Sequence, residues 1–264
     1  ALAMRIKLFG VEHSAVATSL NNLALVLDDQ GKYAEAEAMH REALAMRIKL
    51  LGAEHPDVAL GLNNLASTLD DQGKYAEAEA MFREALALAK KLLGAEHPQV
   101  AGGLSNLALV LNNQTKYEEA EAMSRQALAL AKRLVGEEHP VVASCSSVLG
   151  KVLSGRGKYV EADQHFERAL AICEKQFGKG HANTAKVLIG FAESQQKRGN
   201  HAKAKLLAER ALAIQEKALP LGHLDLADTQ ETLAEIHTGL GNTKEANRYA
   251  SRAKAIREKL SSSK

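Results

Sequence analysis

The chain has 264 residues, 46% of them hydrophobic but only 4% aromatic and none of them tryptophan, so small aliphatic side chains must supply its packing. Its 34 basic and 32 acidic residues are interspersed and leave a net charge of +2, without the concentrated basic face that a nucleic-acid partner requires. No apolar run approaches the roughly 20 residues of a membrane-spanning helix, and no membrane partner is expected.

A fixed period organises the chain. Histidine recurs every 42 residues, at His13, His55, His97, His139, His181 and His223, and residues 10–51 and 52–93 match at 31 of 42 positions. Such self-similarity is the signature of a stacked array, which grows by adding units and not by enlarging one core. Residues 1–10 and 43–52 agree at nine of ten positions, so residues 1–9 read as the end of a preceding repeat. The chain is therefore expected to begin inside a repeat, as a piece of a longer array.

Each full repeat reads as two helices. In the second repeat, Pro56 suits the first helical position, where its missing N–H costs nothing, and Asp57 favours the positive helix terminus. Leu62, Leu65, Ala66 and Leu69 form one apolar stripe at 100° per residue, as Leu20, Leu23, Ala24 and Leu27 do in the first repeat. Gly73 supplies a left-handed stop, and Tyr75 opens a second helix with Ala78, Phe82, Ala85 and Leu86 inward.

The same pattern predicts hairpins over 14–51, 56–93, 98–135, 140–177, 182–218 and 224–260. They fall in repeats at about 10–51, 52–93, 94–135, 136–177, 178–219 and 220–260, with a tail at 261–264. No composition break divides residues 1–264, which are expected to form a single array. Toward the C-terminus, Tyr33, Tyr75, Tyr117 and Tyr159 give way to His201 and Thr243. Leu27, Leu69, Leu111 and Leu153 likewise give way to Gln195 and His237. Polar residues on the packing stripe predict the end of the stack, where one face meets water, with the sixth repeat as its cap. Cys145 and Cys173 fall in adjacent predicted helices and fit reduced thiols, so an intracellular, cytoplasmic location is expected.

The pattern Leu20-Asn-Asn-Leu-Ala24, Leu27, Gly31-Lys-Tyr33, Ala36 and Ala43-Leu44 resembles the tetratricopeptide repeat. The 42-residue period and the Gly-Ala-Glu-His-Pro-Gln-Val-Ala segment that opens at Gly94 are similar to the kinesin light chain variety. The resemblance covers essentially the whole chain. It implies an all-α, right-handed superhelical solenoid of antiparallel helix pairs that binds an extended segment of a partner in its concave groove.

Helix geometry sets Thr18, Asn21, Asn22, Leu25, Asp28 and Asp29 opposite the apolar stripe, and the resemblance implies that this row faces the ligand. Across repeats the row reads Asn21/Asn22, Asn63/Asn64 and Ser105/Asn106, then Asp28/Asp29, Asp70/Asp71 and Asn112/Asn113. An asparagine amide offers an acceptor and two donors, matching a peptide C=O and N–H. Asn22, Asn64 and Asn106 are expected to grip main chain, with Leu25, Leu60 and Leu109 as apolar contacts. The alternative is that these asparagines solvate a helix face or bond to the adjacent repeat.

The aspartates lie at helix C-termini, where the macrodipole disfavours them by about 0.3–1 kcal/mol each when exposed. They are expected to attract a basic ligand segment, or else to form a solvated rim balanced by Lys32 and Lys74. Kinesin light chain grooves carry basic residues that favour acidic, tryptophan-containing cargo. Here basic groove positions are confined to Lys151, Lys186 and Lys197, which departs from that pattern.

Catalysis, cofactors and metals are not expected. Neighbouring histidines are a whole hairpin apart, packed helices are separated by about 8–10 Å, and a shared ion needs ligands at about 2 Å. The histidines are instead expected to bond backbone near helix starts. Neither cysteine has a histidine at a recognisable spacing, and no nucleophile elbow or phosphate loop occurs. Gly102-Gly103, inside a predicted helix, reads as space for a ligand or a neighbouring side chain. The expected function is a non-enzymatic adaptor. The alternatives are the sensor arm of a larger signalling protein, and self-association through the N-terminal end.

Overall fold

A computed structural model describes residues 2–262 and contains thirteen α-helices and no strands among them. In chain order they are α1 Leu2–Phe9, α2 Ser14–Asp29, α3 Tyr33–Leu51, α4 Pro56–Asp71, α5 Tyr75–Leu93, α6 Pro98–Asn113 and α7 Tyr117–Val135. There follow α8 Pro140–Gly155, α9 Tyr159–Phe177, α10 Ala182–Lys197, α11 His201–Ala218, α12 Leu224–Gly239 and α13 Thr243–Ser262. The helix pairs coincide with the hairpins read from the period. The last helix continues through Ser262, into the segment expected to be a tail, while Ser263 and Lys264 lie outside the described residues.

The ends of these helices are set locally. His13, His55, His97, His139, His181 and His223 are the N-caps of α2, α4, α6, α8, α10 and α12, each in extended backbone. Each Nδ1 accepts the N–H two residues on, at 3.1–3.2 Å. One donor that the first turn leaves unpaired is thereby satisfied, which is the role usually taken by Ser, Thr, Asp or Asn. Imidazole acts here as a capping acceptor, and the period of 42 is the period of this cap. At the other end of α4, Gly73 adopts φ +74°, and the Lys74 N–H returns to the Leu69 carbonyl at 2.9 Å. Thr115 occupies the equivalent position after α6 at φ +61°, the one non-glycine residue with positive φ among those described.

The chain divides into two compact units, residues 1–116 and 117–264. In the first, α2/α3 and α4/α5 are hairpins, α1 packs on α2, α3 on α4 and α5 on α6. In the second, α7 packs on α8, and the hairpins α8/α9, α10/α11 and α12/α13 follow in succession. The core of each is a row of small and branched aliphatics. Leu62, Leu65, Ala66 and Leu69 of α4 are buried, as are Ala78, Phe82, Ala85 and Leu86 of α5, the helix that pairs with it.

Three expectations about packing need correction. Leu23 does not join its stripe: it is 37% exposed, while Leu65 at the next repeat is buried. Gln195 and His237 do not mark a wetted face, since both are buried. The Gln195 side chain donates to Asp163 Oδ1 at 2.5 Å and accepts from Asn200 Nδ2 at 3.0 Å, which meets its hydrogen-bonding needs inside the protein. His237 stacks on Tyr249 with centroids 5.4 Å apart. In the sixth repeat, α13 has Ala246 and Ala253 buried and most other side chains exposed.

Candidate functional site

Side-chain ion clusters recur at the turns. Glu37 of α3 accepts from Lys74 Nζ and Gln72 Nε2, both at 2.7 Å, and from Arg41 at 2.7 Å. Glu79 repeats this with Lys116, Gln114 and Arg83. In the second unit, Glu121 takes Lys158, Arg156 and Arg125. Lys74 beside Glu37 and Lys116 beside Glu79 hold those carboxyls at about 2. Burial pushes Glu121 upward, but Lys158, Arg156 and Arg125 outweigh it and hold it at about 2 as well. These clusters bolt one hairpin to the next helix. Lys74 is thus committed to Glu37 and does not balance the aspartate rim.

The first helices of unit 1 carry the predicted row. Stacking sets the helices so that three asparagine amides each meet a side chain 43 positions earlier. Asn64 Nδ2 donates to Asn21 Oδ1 at 3.0 Å, Asn106 Nδ2 to Asn63 Oδ1 at 2.9 Å, and Asn113 Nδ2 to Asp70 Oδ1 at 3.0 Å. The repeated doublets therefore have divided duties: the first member accepts, and the second member of the next doublet donates. Asn21 is buried in this arrangement and is withdrawn from any groove. Asn63, Asn64 and Asn106 are half-buried with one amide atom each committed between repeats, and Asn22 is exposed.

The acids divide similarly. Asp28 is turned inward, where Oδ2 accepts from Thr68 Oγ1 at 3.0 Å and from the Nε2–H of buried His40 at 3.2 Å. It is an internal strut and not a ligand-facing charge. Burial pushes the Asp70 carboxyl above its usual range, against the opposing Asn113 bond. Asp29 and Asp71 are exposed, as are Leu25 and Asn113. Asn112 is half-buried. Lys151 belongs to unit 2, where its Nζ lies 3.7 Å from Glu193 and Gly190 leaves room for its stem, since a Cβ there would stand 2.8 Å from Lys151 Cε.

What remains open to solvent is a line along each helix, spaced four, three and four residues, which brings every member within about 40° of one azimuth. On α2 it is Thr18, Asn22, Leu25 and Asp29; on α4, Leu60, Asn64, Ser67 and Asp71; on α6, Gly102, Asn106, Leu109 and Asn113. Between α4, α5 and α6 a cleft of about 180 Å³ opens, walled by Ala59, Leu60, Ala85, Leu86 and Ala89. Its floor is Gly102-Gly103. A Cβ at Gly103 would stand 3.2 Å from Leu86, whereas one at Gly102 would meet nothing within 4 Å, so Gly103 permits close packing and Gly102 opens the cleft. The glycine pair was legible as created space. Ala85 reads from sequence only as an inward core residue, and Ala59, Ala89 and Gln99 carry no sequence signal beyond small or neutral character beside that pair.

Cys145 and Cys173 are buried and unbridged, with burial raising the Cys173 thiol. Among the described residues no group of three or more His, Cys, Asp or Glu side chains is placed to hold a metal ion, and no helix is long and apolar enough to cross a membrane.

The family described as tetratricopeptide repeat matches residues 1–49, 16–91, 57–102, 99–175 and 149–217. No curated protein matches the chain. Among solved structures, BtubC (BKLC) from P. vanneervenii is 22% identical, with 90% of this chain and 92% of that chain covered and a TM-score of 0.60. A Podosopora anserina protein, described as a kinesin light chain with nearly identical TPR-like repeats, is 26% identical over 78% of this chain and 98% of its own, with a TM-score of 0.58. A Rap protein complexed with Competence and Sporulation Factor is 15% identical, covering 93% and 78%, with a TM-score of 0.63. The first and third likenesses concern the fold alone.

Proposed function

Because this chain belongs to the tetratricopeptide repeat family, we propose that it is a non-enzymatic adaptor, one repeat array whose first helices hold an extended segment of another protein. The observation that carries this is the exposed to half-buried line on α2, α4 and α6: neutral amides and hydroxyls, interrupted by aliphatic side chains and ending on α2 and α4 in exposed Asp29 and Asp71. Extended main chain needs alternating donors and acceptors; the exposed Asn22 amide supplies both, and Asn64 and Asn106, whose Nδ2 groups tie repeats together, keep their Oδ1 acceptors. The Rap neighbour, crystallised with Competence and Sporulation Factor, supports the use of such a fold for capture. A cytoplasmic location is proposed from the two buried, unbridged cysteines.

Panning the full chain against a displayed random dodecapeptide library tests the reading. Binders are expected, with affinity that falls as salt is raised. They should be lost in the triple variant N22A/N64A/N106A, with helicity by circular dichroism retained. A library that yields no binder to the wild-type chain would sink the proposal.

Self-association is a second reading, supported by Leu23 and Val26, which are 37% and 49% exposed where Leu65 and Thr68 of the next repeat are buried. Light scattering across a hundredfold concentration range should then show a rising mass, and a constant monomer mass overturns it.

A further inference from the structure

We propose that the α4–α5–α6 cleft selects one aliphatic side chain of the bound segment, and that Asp71 and Asp29 select a basic residue about five positions away. This deepens the peptide-binding reading above and rests on it. Four observations carry the inference.

The cleft, at about 180 Å³, is well below the roughly 300 Å³ at which sites for drug-sized ligands begin, so it fits a single side chain. None of its lining residues is charged, and its walls are alanine and leucine, which favours an aliphatic occupant over a polar one.

The amides at its edge are half used. Asn106 Nδ2 is committed to Asn63 Oδ1, which leaves Asn63 Nδ2 as a donor and Asn106 Oδ1 as an acceptor for one peptide unit. The anchor residue's main chain is thereby held while its side chain enters the cleft.

The charge pattern is one-sided. Helices α2, α4 and α6 contain Asp28, Asp29, Asp57, Asp70 and Asp71 and no Lys or Arg. Exposed Asp29 and Asp71 lie at helix C-termini, where the backbone dipole adds further negative potential, so the complement is a cation.

The two features share one line. Leu60, in the cleft wall, and Asp71 are eleven residues apart on α4, which places them about 20° apart around the helix and about 16 Å apart along it. An extended chain advances about 3.3 Å per residue, so about five residues span that distance.

The test uses the full chain and the dodecapeptide library. Sequences that bind the wild-type chain should share an aliphatic residue with Lys or Arg four to six positions away. Synthetic peptides from that set, followed by fluorescence anisotropy, should bind Gly102→Leu at least tenfold more weakly. That substitution places in α6 the residue that Leu60 supplies at the equivalent point of α4, and it fills the cleft. Leu60→Ser removes a half-exposed wall, and should weaken the same peptides with unchanged thermal unfolding even if Gly102→Leu folds poorly. The double variant Asp29→Asn/Asp71→Asn should abolish the preference for the basic residue. Peptides that bind the wild type but ignore Leu60→Ser and Gly102→Leu would overturn the cleft and leave peptide binding standing. Enriched peptides with an acidic or aromatic consensus would overturn the stated ligand chemistry. Absence of any binder would defeat both readings.

Discussion

Glu121 gives the sharpest test of what binds successive helices. Its side chain, 10% exposed, accepts from Arg156 at 2.6 Å, Arg125 at 2.9 Å and Lys158 at 3.0 Å. Burial alone would raise its carboxyl, yet the three cations hold it at about 2 instead of 4.5. At about 1.36 kcal/mol per unit, that difference corresponds to an upper bound of about 3.4 kcal/mol at neutral pH. The cations are 26–44% exposed, so solvent screening reduces the expected value to roughly 1.5–2 kcal/mol. The folded value lies below the unfolded one. The stabilisation is therefore complete above about pH 5 and is lost as pH falls from 4.5 toward 2.

Glu121→Gln keeps the shape and removes the charge. Urea unfolding of both proteins at pH 7, 5, 4 and 3 should show a gap of roughly 1.5–2 kcal/mol at pH 7 that narrows steadily below pH 4.5. In thermal unfolding at pH 7 the same loss amounts to about 5 °C. A gap that holds constant from pH 7 to pH 3, or none at pH 7, would refute the assignment of stability to the charge.

Two further outcomes concern local geometry. His97→Ala removes the acceptor for the Gln99 N–H and should cost about 1 kcal/mol, while His97→Asn restores most of it; equal losses in the two variants would show that imidazole packing and not capping matters. Thr115→Gly should gain about 1 kcal/mol in urea unfolding, because a β-branched residue is strained at φ +61° where the other first helices end on glycine, and a loss of stability there would contradict the strain.

Helix boundaries were legible because their causes are local. A capping histidine, a proline at the first position, a glycine at the stop and a 3.6-residue apolar stripe all act within a few residues; the period repeats the histidine six times, the proline three times and the glycine five. The open space at Gly102-Gly103 was legible for the same reason. The roles of the asparagine doublets were not. Asn21 and Asn22 are adjacent and chemically identical, yet one is buried beneath Asn64 and the other exposed. Asp28 and Asp29 part in the same way, since Asp28 turns to His40 and Thr68. The signal for that strut is His40 itself, standing where later repeats place Phe82 and Phe166, but nothing local points it at α2.

The order and ends of the helices thus follow from the chain's own periodic chemistry, as does the family to which it belongs. Partner choice among polar side chains waits for the stacking of helices. Repeats in sequence are 42 residues apart, while the asparagine amides that bridge neighbouring first helices reach partners 43 residues away. That one-residue offset, a property of packed helices and not of any one of them, decides which amides tie repeats together and which are left exposed.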